Sequence, residues 1–528
     1  MIKTNIKLPI SYDTEAIKDA LLAHIPIKKD EIHDIKILKR ALNLNDKSDI
    51  HYDVTVGVAL SAERESGLLK MRKKVFECED LTLNLPKCNF DNRPVVIGAG
   101  PAGLFCALLL AEAGAKPILF ERGLDVDSRA QKVDTFIKLG VLDSECNIQF
   151  GEGGAGSFSD GKLKSGSIDR YKMKILSEFV DAGAPEDILY SVGAHVGTDK
   201  LREIVKKIRN KIISLGGEVH FGARLTEITL NNERVVGGAV ENAGGISRFD
   251  TDILVMATGH SARDSFELLR SIGAPMQAKG FGIGMRIEHP REYINDLVYG
   301  KNAPDELGAA SYHLVTHLSG GRSVYSFCMC PGGIVVPAAS EEAGIVTNGM
   351  SEYARNADNS NSALLVSVTP EDFGSDDVLC GIDFQRKIER RAYNVAGGSY
   401  KAPSISILGL MNDDYKSEFS SVTPSYPIGT VKASPYDYLP EYIVDSVKAG
   451  MLDFDDWMPG FNCPEAVLTG PETRTTSPVR VLRDENFETI GIAGLYPAGE
   501  GAGYAGGIIS SARDGLLVAE KIIEKTLI

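Results

Sequence analysis

The 528-residue sequence predicts an α/β fold organised around a parallel nucleotide-binding sheet, and three separated stretches carry that prediction. Residues 94–123 run Pro-Val-Val-Ile-Gly-Ala-Gly-Pro-Ala-Gly, an apolar helix, then Pro-Ile-Leu-Phe-Glu-Arg-Gly, which makes a complete βαβ unit closed by an acid. Residues 252–259 are an apolar strand ending Ala257-Thr258-Gly259, the form of a parallel core strand that delivers a small-residue turn to the ligand edge. The tail from Gly494 supplies a third strand, a glycine turn and a closing helix at 506–523, so the chain is expected to end in the sheet where it began.

Each part of the βαβ unit has a physical task. Gly98 permits the tight turn out of the strand, Gly100 lets the backbone approach a pyrophosphate, and Gly103 lets the helix pack closely on the sheet. Pro101 and Ala102 open the helix, whose free N–H groups and positive dipole end favour phosphate. Glu121, followed by Arg122, closes the second strand where a carboxylate accepts from ribose hydroxyls. The same glycine spacing recurs at Gly151–Gly156 without a preceding strand, and at Gly501–Gly506 without room for a returning one. One dinucleotide site is therefore expected.

Taken in order, residues 2–9, 35–42, 50–58 and 78–85 read as strands and 13–23 and 61–75 as helices, a ferredoxin-like βαββαβ domain over 1–90. It has balanced charge and no regularly placed strand aromatics, which favours packing or docking over RNA binding. Residues 86–94 form a proline-marked linker. A Rossmann-type domain follows over 91–274, with a helix at 127–139 and a glycine-rich loop at 147–164 that contains Gly153 and Gly154. So many glycines beside Phe150 and Phe158 suggest a loop pressed on a ligand. A helix at 198–215 with Thr198 as its N-cap and an antiparallel meander at 218–249 lead to the strand at 252–259. Residues 275–479 show many short strands and no βαβ rhythm, which predicts a mixed α+β substrate or cap domain; 480–528 return to the nucleotide domain.

A net charge of −15 argues against general binding to nucleic acid or anionic membrane, and no apolar run reaches membrane-spanning length. The polar N-terminus has no leader pattern, so a cytoplasmic location is expected. Eight cysteines without C-x-x-C pairs fit neither a zinc ribbon nor a disulfide framework, and the nine histidines show no ligand spacing. Cys328 and Cys330 stand two apart on a predicted strand and share a face, either as small buried side chains or as a reactive dithiol. Arg286 and Glu288 share another face, where a mutual ion pair is the simple expectation, while Arg474 sits in a polar loop suited to meeting an anionic group.

The glycine motif with Glu121, the Ala257-Thr258-Gly259 strand end and the distal Gly499-Glu500 together resemble FAD-dependent oxidoreductases with a glutathione-reductase-type Rossmann domain. That family usually has Gly-Asp at the third motif, with the carboxylate on the ribityl chain; Glu500 stands there in this sequence. The longer runs 150–161, 327–333 and 496–507 are similar to a bacterial group described as FAD-dependent dehydrogenases, over residues 35 to the end. More distant relatives resemble geranylgeranyl-reductase-type flavoproteins, which reduce carbon–carbon double bonds.

The resemblance implies bound FAD, with a small-molecule substrate entering between the two large domains; the missing second nucleotide domain suggests that NAD(P)H, if used, binds transiently at the flavin face, and a different electron donor is equally compatible. Backbone N–H groups at Gly506, Gly507 and Ile508 would then stabilise reduced flavin. Cys328, Cys330, Arg286 and Arg474 are the candidate catalytic residues. The alternative is a flavin-carrying redox sensor or scaffold that docks a partner through its N-terminal domain. No sequence feature sets the oligomeric state.

Overall fold

The computed structural model describes residues 1–71, 74–163, 168–416 and 418–527. Lys164, the end of the predicted glycine-rich loop, and two residues of the predicted helix 61–75 lie outside that range.

A parallel five-stranded sheet forms the nucleotide half, in the order Leu495–Pro497, Leu254–Met256, Val95–Ile97, Ile118–Phe120, Glu218–His220. Val95, Val96 and Ile97 are all buried, as a central parallel strand covered on both faces requires. Helix Pro101–Glu112 starts with proline at its first turn and buries ten of its residues from Ala102 to Ala111. The closing helix Ile508–Thr526 lies against it so tightly that a Cβ on Gly515 would fall 2.1 Å from the Ala102 carbonyl oxygen. Gly103 is equally constrained, because its Cβ would lie 1.8 Å from the oxygen of Gly98.

The predicted meander is shorter than expected. Glu218–His220 pairs parallel with Ile118–Phe120 and belongs to the main sheet; the antiparallel layer is Arg224–Asn231, Arg234–Asn242 and Gly245–Asp250. Its first turn places Asn232 and Glu233 at φ 48° and 59°, the left-handed pair that matches strand twist in a two-residue hairpin. Thr198 is not an N-cap: helix Gly197–Ser214 begins after Val196, and the Thr198 hydroxyl donates to the Ser157 carbonyl at 2.5 Å.

Residues 275–479 differ most from expectation. Their core is a seven-stranded sheet in the order Val315–His317, Ser323–Cys330, Asn359–Val368, Phe281–Pro290, Val467–Glu472, Ala402–Ser406, Thr430–Lys432. Phe281–Pro290 and Asn359–Val368 are ten residues each, paired antiparallel along their whole length, so these strands are not short. Helices Cys380–Val395 and Glu441–Trp457 cover the sheet, setting Ile388, Val444, Val447 and Phe454 against Ile283, Met285 and Val366. In the second helix Val444, Val447, Met451 and Phe454 recur three and four apart, which places them on one stripe.

The first 77 residues form an antiparallel sheet in the order Asp34–Asn43, His51–Ala59, Ile2–Leu8, Phe76–Glu77. Helices Thr14–His24 and Ala62–Lys70 bury Ile17, Leu21 and Leu68 against Ile2, Ile6, Val54 and Val56. Asp13 caps the first by accepting from Ala16 N–H at 2.8 Å, a contact type that contributes about 1 kcal/mol. No strand forms over 78–85, since the sheet's last strand is only two residues long. That stretch and the predicted linker pack instead on the nucleotide half through Leu83, Leu85, Cys88 and Phe90. The N-terminal sheet is pinned by Arg40: its backbone bridges Tyr190 and Val192, and its guanidinium bonds Ser191 and sits over the rings of Tyr52 and Tyr190.

Candidate functional site

One cavity of about 430 Å3 opens between the nucleotide half and the seven-stranded sheet, within the usual range for a small-molecule site. Its nucleotide wall is mostly backbone. Gly98, Gly100, Pro101, Ala102, Glu121, Arg122, Gly154, Ala257, Thr258, Gly259, Glu500, Gly506, Gly507 and Ile508 all line it. Gly98 takes φ 103°, and a Cβ there would meet the Ala257 oxygen at 2.3 Å. Gly100 and Gly154 face each other, so that a Cβ on Gly154 would lie 3.1 Å from the Gly100 Cα. Helices Pro101–Glu112 and Ile508–Thr526 both begin here, and neither Gly100 nor Gly507 offers a capping side chain. Their first N–H groups are left for an acceptor in the cavity.

Three predicted glycine ligands are elsewhere. Gly103 and Gly499 do not line the cavity; both are glycines because neighbouring chain leaves no room, at Gly499 a Cβ lying 2.7 Å from that of Ala102. Gly153 turns away as well, donating its N–H to the Ala99 carbonyl at 2.8 Å.

Glu121 is buried and accepts from Ala99 N–H at 2.7 Å and from Gly123 and Gly151 N–H at 2.9 Å. A carboxylate has about four lone-pair directions, so one remains for a ribose hydroxyl. Arg122 instead pairs with Asp264 and lies over the Phe150 ring at 4.5 Å.

Arg129 is the residue that sequence reasoning missed in this wall. It is fully buried, and its guanidinium donates to the carbonyls of Asn147, Ile148, Gly151, Glu152 and Gly154, so one side chain fixes the glycine loop. Burial lowers its pKa to about 10. The only sequence signal was an arginine on the inward stripe of a predicted helix. His260, directly after Gly259, was also overlooked: it lines the cavity, its Nδ1 lies 3.8 Å from Glu500, and its buried Nε2 has no protein partner.

The opposite wall is built from charged side chains. Arg286 does not pair with Glu288; its Nε and Nη2 engage Glu472 at 2.6 and 3.1 Å, and the whole side chain is buried behind the cavity surface. The long antiparallel strands place Glu288 toward Asn359 and Ser425 instead. Arg474 does reach the cavity and does meet an anion, but the anion is Glu389 of the same chain, at 3.0 and 2.9 Å. Glu389 also receives Arg263 at 2.9 Å. Burial alone would raise the Glu389 carboxyl; Arg263 and Arg474 overcome it and hold the pKa far below the usual carboxylate range. Asp160 shows the same balance, with Arg355 and Lys162 outweighing its burial.

Cys328 and Cys330 do not lie on the regular strand that the two-residue spacing predicts. The register of strand Ser323–Cys330 shifts between Phe327 and Cys330, and Cys328 adopts φ 41°. This bulge turns Cys328 to the cavity and leaves Cys330 buried below it.

The residues fit FAD in kind: two uncapped helix starts for phosphate, a glycine cradle that side chains would fill, a buried acid with spare acceptor capacity, and an unpartnered histidine nitrogen. Among the described residues no helix is long and apolar enough to cross a membrane.

One comparison carries the same cofactor in the name of the family it matches. Residues 280–475 match the family "FAD-dependent protein, C-terminal domain-like". Among solved structures, a flavoprotein/dehydrogenase from Cytophaga hutchinsonii is 13% identical over 83% of this chain and 78% of that chain, with a TM-score of 0.34. A 3-ketosteroid-delta4-(5alpha)-dehydrogenase from Rhodococcus jostii RHA1 is 14% identical over 84% and 99%, with a TM-score of 0.33. At those scores neither likeness carries an argument. An "Uncharacterized protein" of Clostridium beijerinckii is 45% identical over 99% of this chain and 98% of its own. The chain therefore belongs to the same family as that Clostridium protein.

Proposed function

We propose that the protein is an FAD-dependent oxidoreductase that moves hydride between flavin and a small molecule held against the seven-stranded sheet. The observation that carries this reading is that one cavity joins the glycine wall to the wall bearing Cys328 and Arg474. FAD bound there supplies two-electron redox chemistry. The chain's part is binding and electrostatics: the free N–H groups in the first turns of the helices, from Ala102 and from Ile508, would meet negative charge, Glu121 would hold ribose, and Glu500 with His260 would hold the polar chain between ring and phosphates. Residues 91–274 and 480–528 make the FAD-binding Rossmann domain in this reading, and 275–479 close over the substrate. An activated carbon–carbon double bond is the substrate class to test first, with NAD(P)H as transient donor.

The test is to purify the protein, identify its flavin by absorbance and chromatography, and mix it anaerobically with NADH and NADPH. Bleaching of the flavin band supports the reading. A colourless protein that binds NAD and rejects FAD would overturn it.

A second reading is favoured by one observation: no residue before Ile97 lines the cavity, although the N-terminal sheet is firmly docked. In that reading the ferredoxin-like unit binds a partner protein and the flavin reports redox state. Slow flavin reduction coupled to a change in partner affinity would select it.

A further inference from the structure

The bulge in strand Ser323–Cys330 produces an arrangement that hydride transfer does not need. Cys328 is half-buried and faces the cavity; the Cys330 sulfur lies beneath it, 3.4 Å from the Cys328 carbonyl oxygen. Arg286 holds the distortion in place, donating to the Cys328 carbonyl at 2.9 Å and reaching the Cys330 sulfur at 3.9 Å. A buried cation, a cavity-facing thiol and a second thiol directly behind it form a reactive cysteine with a resolving partner. We propose that Cys328 is a peroxide-reactive thiolate and that Cys330 resolves its oxidised form to a Cys328–Cys330 disulfide.

The pattern among the other cysteines supports the choice. Contact with the Cys330 thiol and the charge of Arg286 hold Cys328 below the usual thiol range, whereas burial raises Cys78, Cys88, Cys106, Cys146, Cys380 and Cys463.

The chemistry balances with peroxide as oxidant and a small thiol as reductant. The Cys328 sulfur attacks a peroxide oxygen; the S–O bond forms, the O–O bond breaks, and the leaving hydroxide takes a proton to become water. Sulfur is oxidised by two electrons and peroxide is reduced by two. The Cys330 sulfur then attacks the Cys328 sulfur, the S–O bond breaks, and the thiol's proton leaves with hydroxide as a second water. Residues two apart close a small ring, so this disulfide is strained and readily reduced. A small thiol attacks the cavity-facing Cys328 sulfur and frees Cys330, and a second thiol displaces the mixed disulfide. This reading does not depend on the oxidoreductase proposal.

The test uses the full-length protein as purified, a molar equivalent of hydrogen peroxide, and peptide mapping by mass spectrometry against time. Cys328 and Cys330 should disappear together as a linked peptide, about tenfold or more faster than Cys78, Cys88 and Cys463, the other three partly exposed thiols. In Cys330→Ser, dimedone should trap a sulfenic acid at Cys328. In Cys328→Ser, Cys330 should become as slow as the reference thiols. Equal rates at Cys328 and the reference thiols would overturn the proposal in the wild-type protein alone, whatever the variants' folding; so would oxidation of Cys328 without linkage to Cys330.

Discussion

The two walls of the cavity are made of different materials. The nucleotide wall presents much backbone, in glycine turns and uncapped helix starts, and two buried side chains, Glu121 and Arg129, bond mainly to that backbone. The facing wall is backed by side chains whose charges cancel inside the protein: Arg286 with Glu472, and Arg474 with Glu389, which Arg263 also reaches from the nucleotide half. A backbone wall has its shape fixed by sterics and tolerates little change of bulk. A charged wall has its shape fixed by pairing and tolerates little change of charge. Each wall should therefore break under a different kind of substitution.

The largest effect is expected where bulk meets backbone. Gly103→Val would drive a side chain into the Gly98 carbonyl, 1.8 Å from the Cβ position, and the two elements cannot separate without opening the βαβ unit. We expect insoluble or flavin-free protein. Gly320→Ala is the control, because its Cβ would enter open space and the residue does not line the cavity. Flavin-to-protein ratio and thermal unfolding measure both, and a well-folded yellow Gly103→Val would refute the steric account.

Charge should decide the other wall. Glu389→Gln keeps volume but leaves buried Arg474 without its carboxylate and Arg263 with Glu341 alone, a loss of about 3–5 kcal/mol by denaturant titration. The acid limb of stability follows from the same pair. Glu389 is held far below the carboxylate range, so its contribution is present above the unfolded-state pKa and is lost only as pH falls through the much lower folded value. The stability gap between wild type and Glu389→Gln should close in strong acid. A gap that is already closed at neutral pH would show that the pairing contributes little.

The contrast also explains what could be read in advance. The βαβ unit was legible because its turn, helix and acid lie within 30 consecutive residues, although Gly98 and Gly100 also answer to distant chain at Ala257 and Gly154. The charged wall was not, since Glu389 meets partners 126 and 85 positions away, and Arg286 meets Glu472 at a separation of 186. Arg286 and Glu288 invited pairing by adjacency, but the register of two ten-residue strands decides which carboxylate the guanidinium reaches. The bulge at Cys328 was hidden for a related reason: period-two alternation predicts a regular strand, and only the hold of Arg286 on a carbonyl shows why this one is not.

Glu121 tests the middle of the range. Glu121→Ala removes the acceptor for three backbone N–H groups as well as the proposed ribose contact. FAD affinity should fall by about 1.5–3 kcal/mol, the usual worth of bonds to a charged group, and the loop at Gly151 should become easier to cleave with protease. Weaker FAD binding with unchanged proteolysis would assign the acid to ribose alone; unchanged affinity would remove it from the site.

The smallest effect on the cavity should come from the N-terminal sheet, which contributes none of its lining. The position of the cut matters more than the loss of the sheet. A chain starting at residue 80 keeps Leu83, Leu85, Cys88 and Phe90 on the nucleotide core, and keeps the Cys88 N–H bond to the Ala113 carbonyl at 2.9 Å. A chain starting at residue 91 loses all of these, and each exposed apolar contact at the end of helix Pro101–Glu112 weakens the element that opens the phosphate site. Both truncations also uncover the apolar patch around Tyr299 and Ile294, onto which Leu42 and Ile50 pack, so reduced solubility alone does not distinguish them. Flavin retention does. The longer chain should bind FAD as the full protein does, and the shorter should bind it more weakly and unfold at lower temperature. Equal flavin loss in both would mean that the docked sheet, through Arg40 and Tyr190, supports the cavity from a distance.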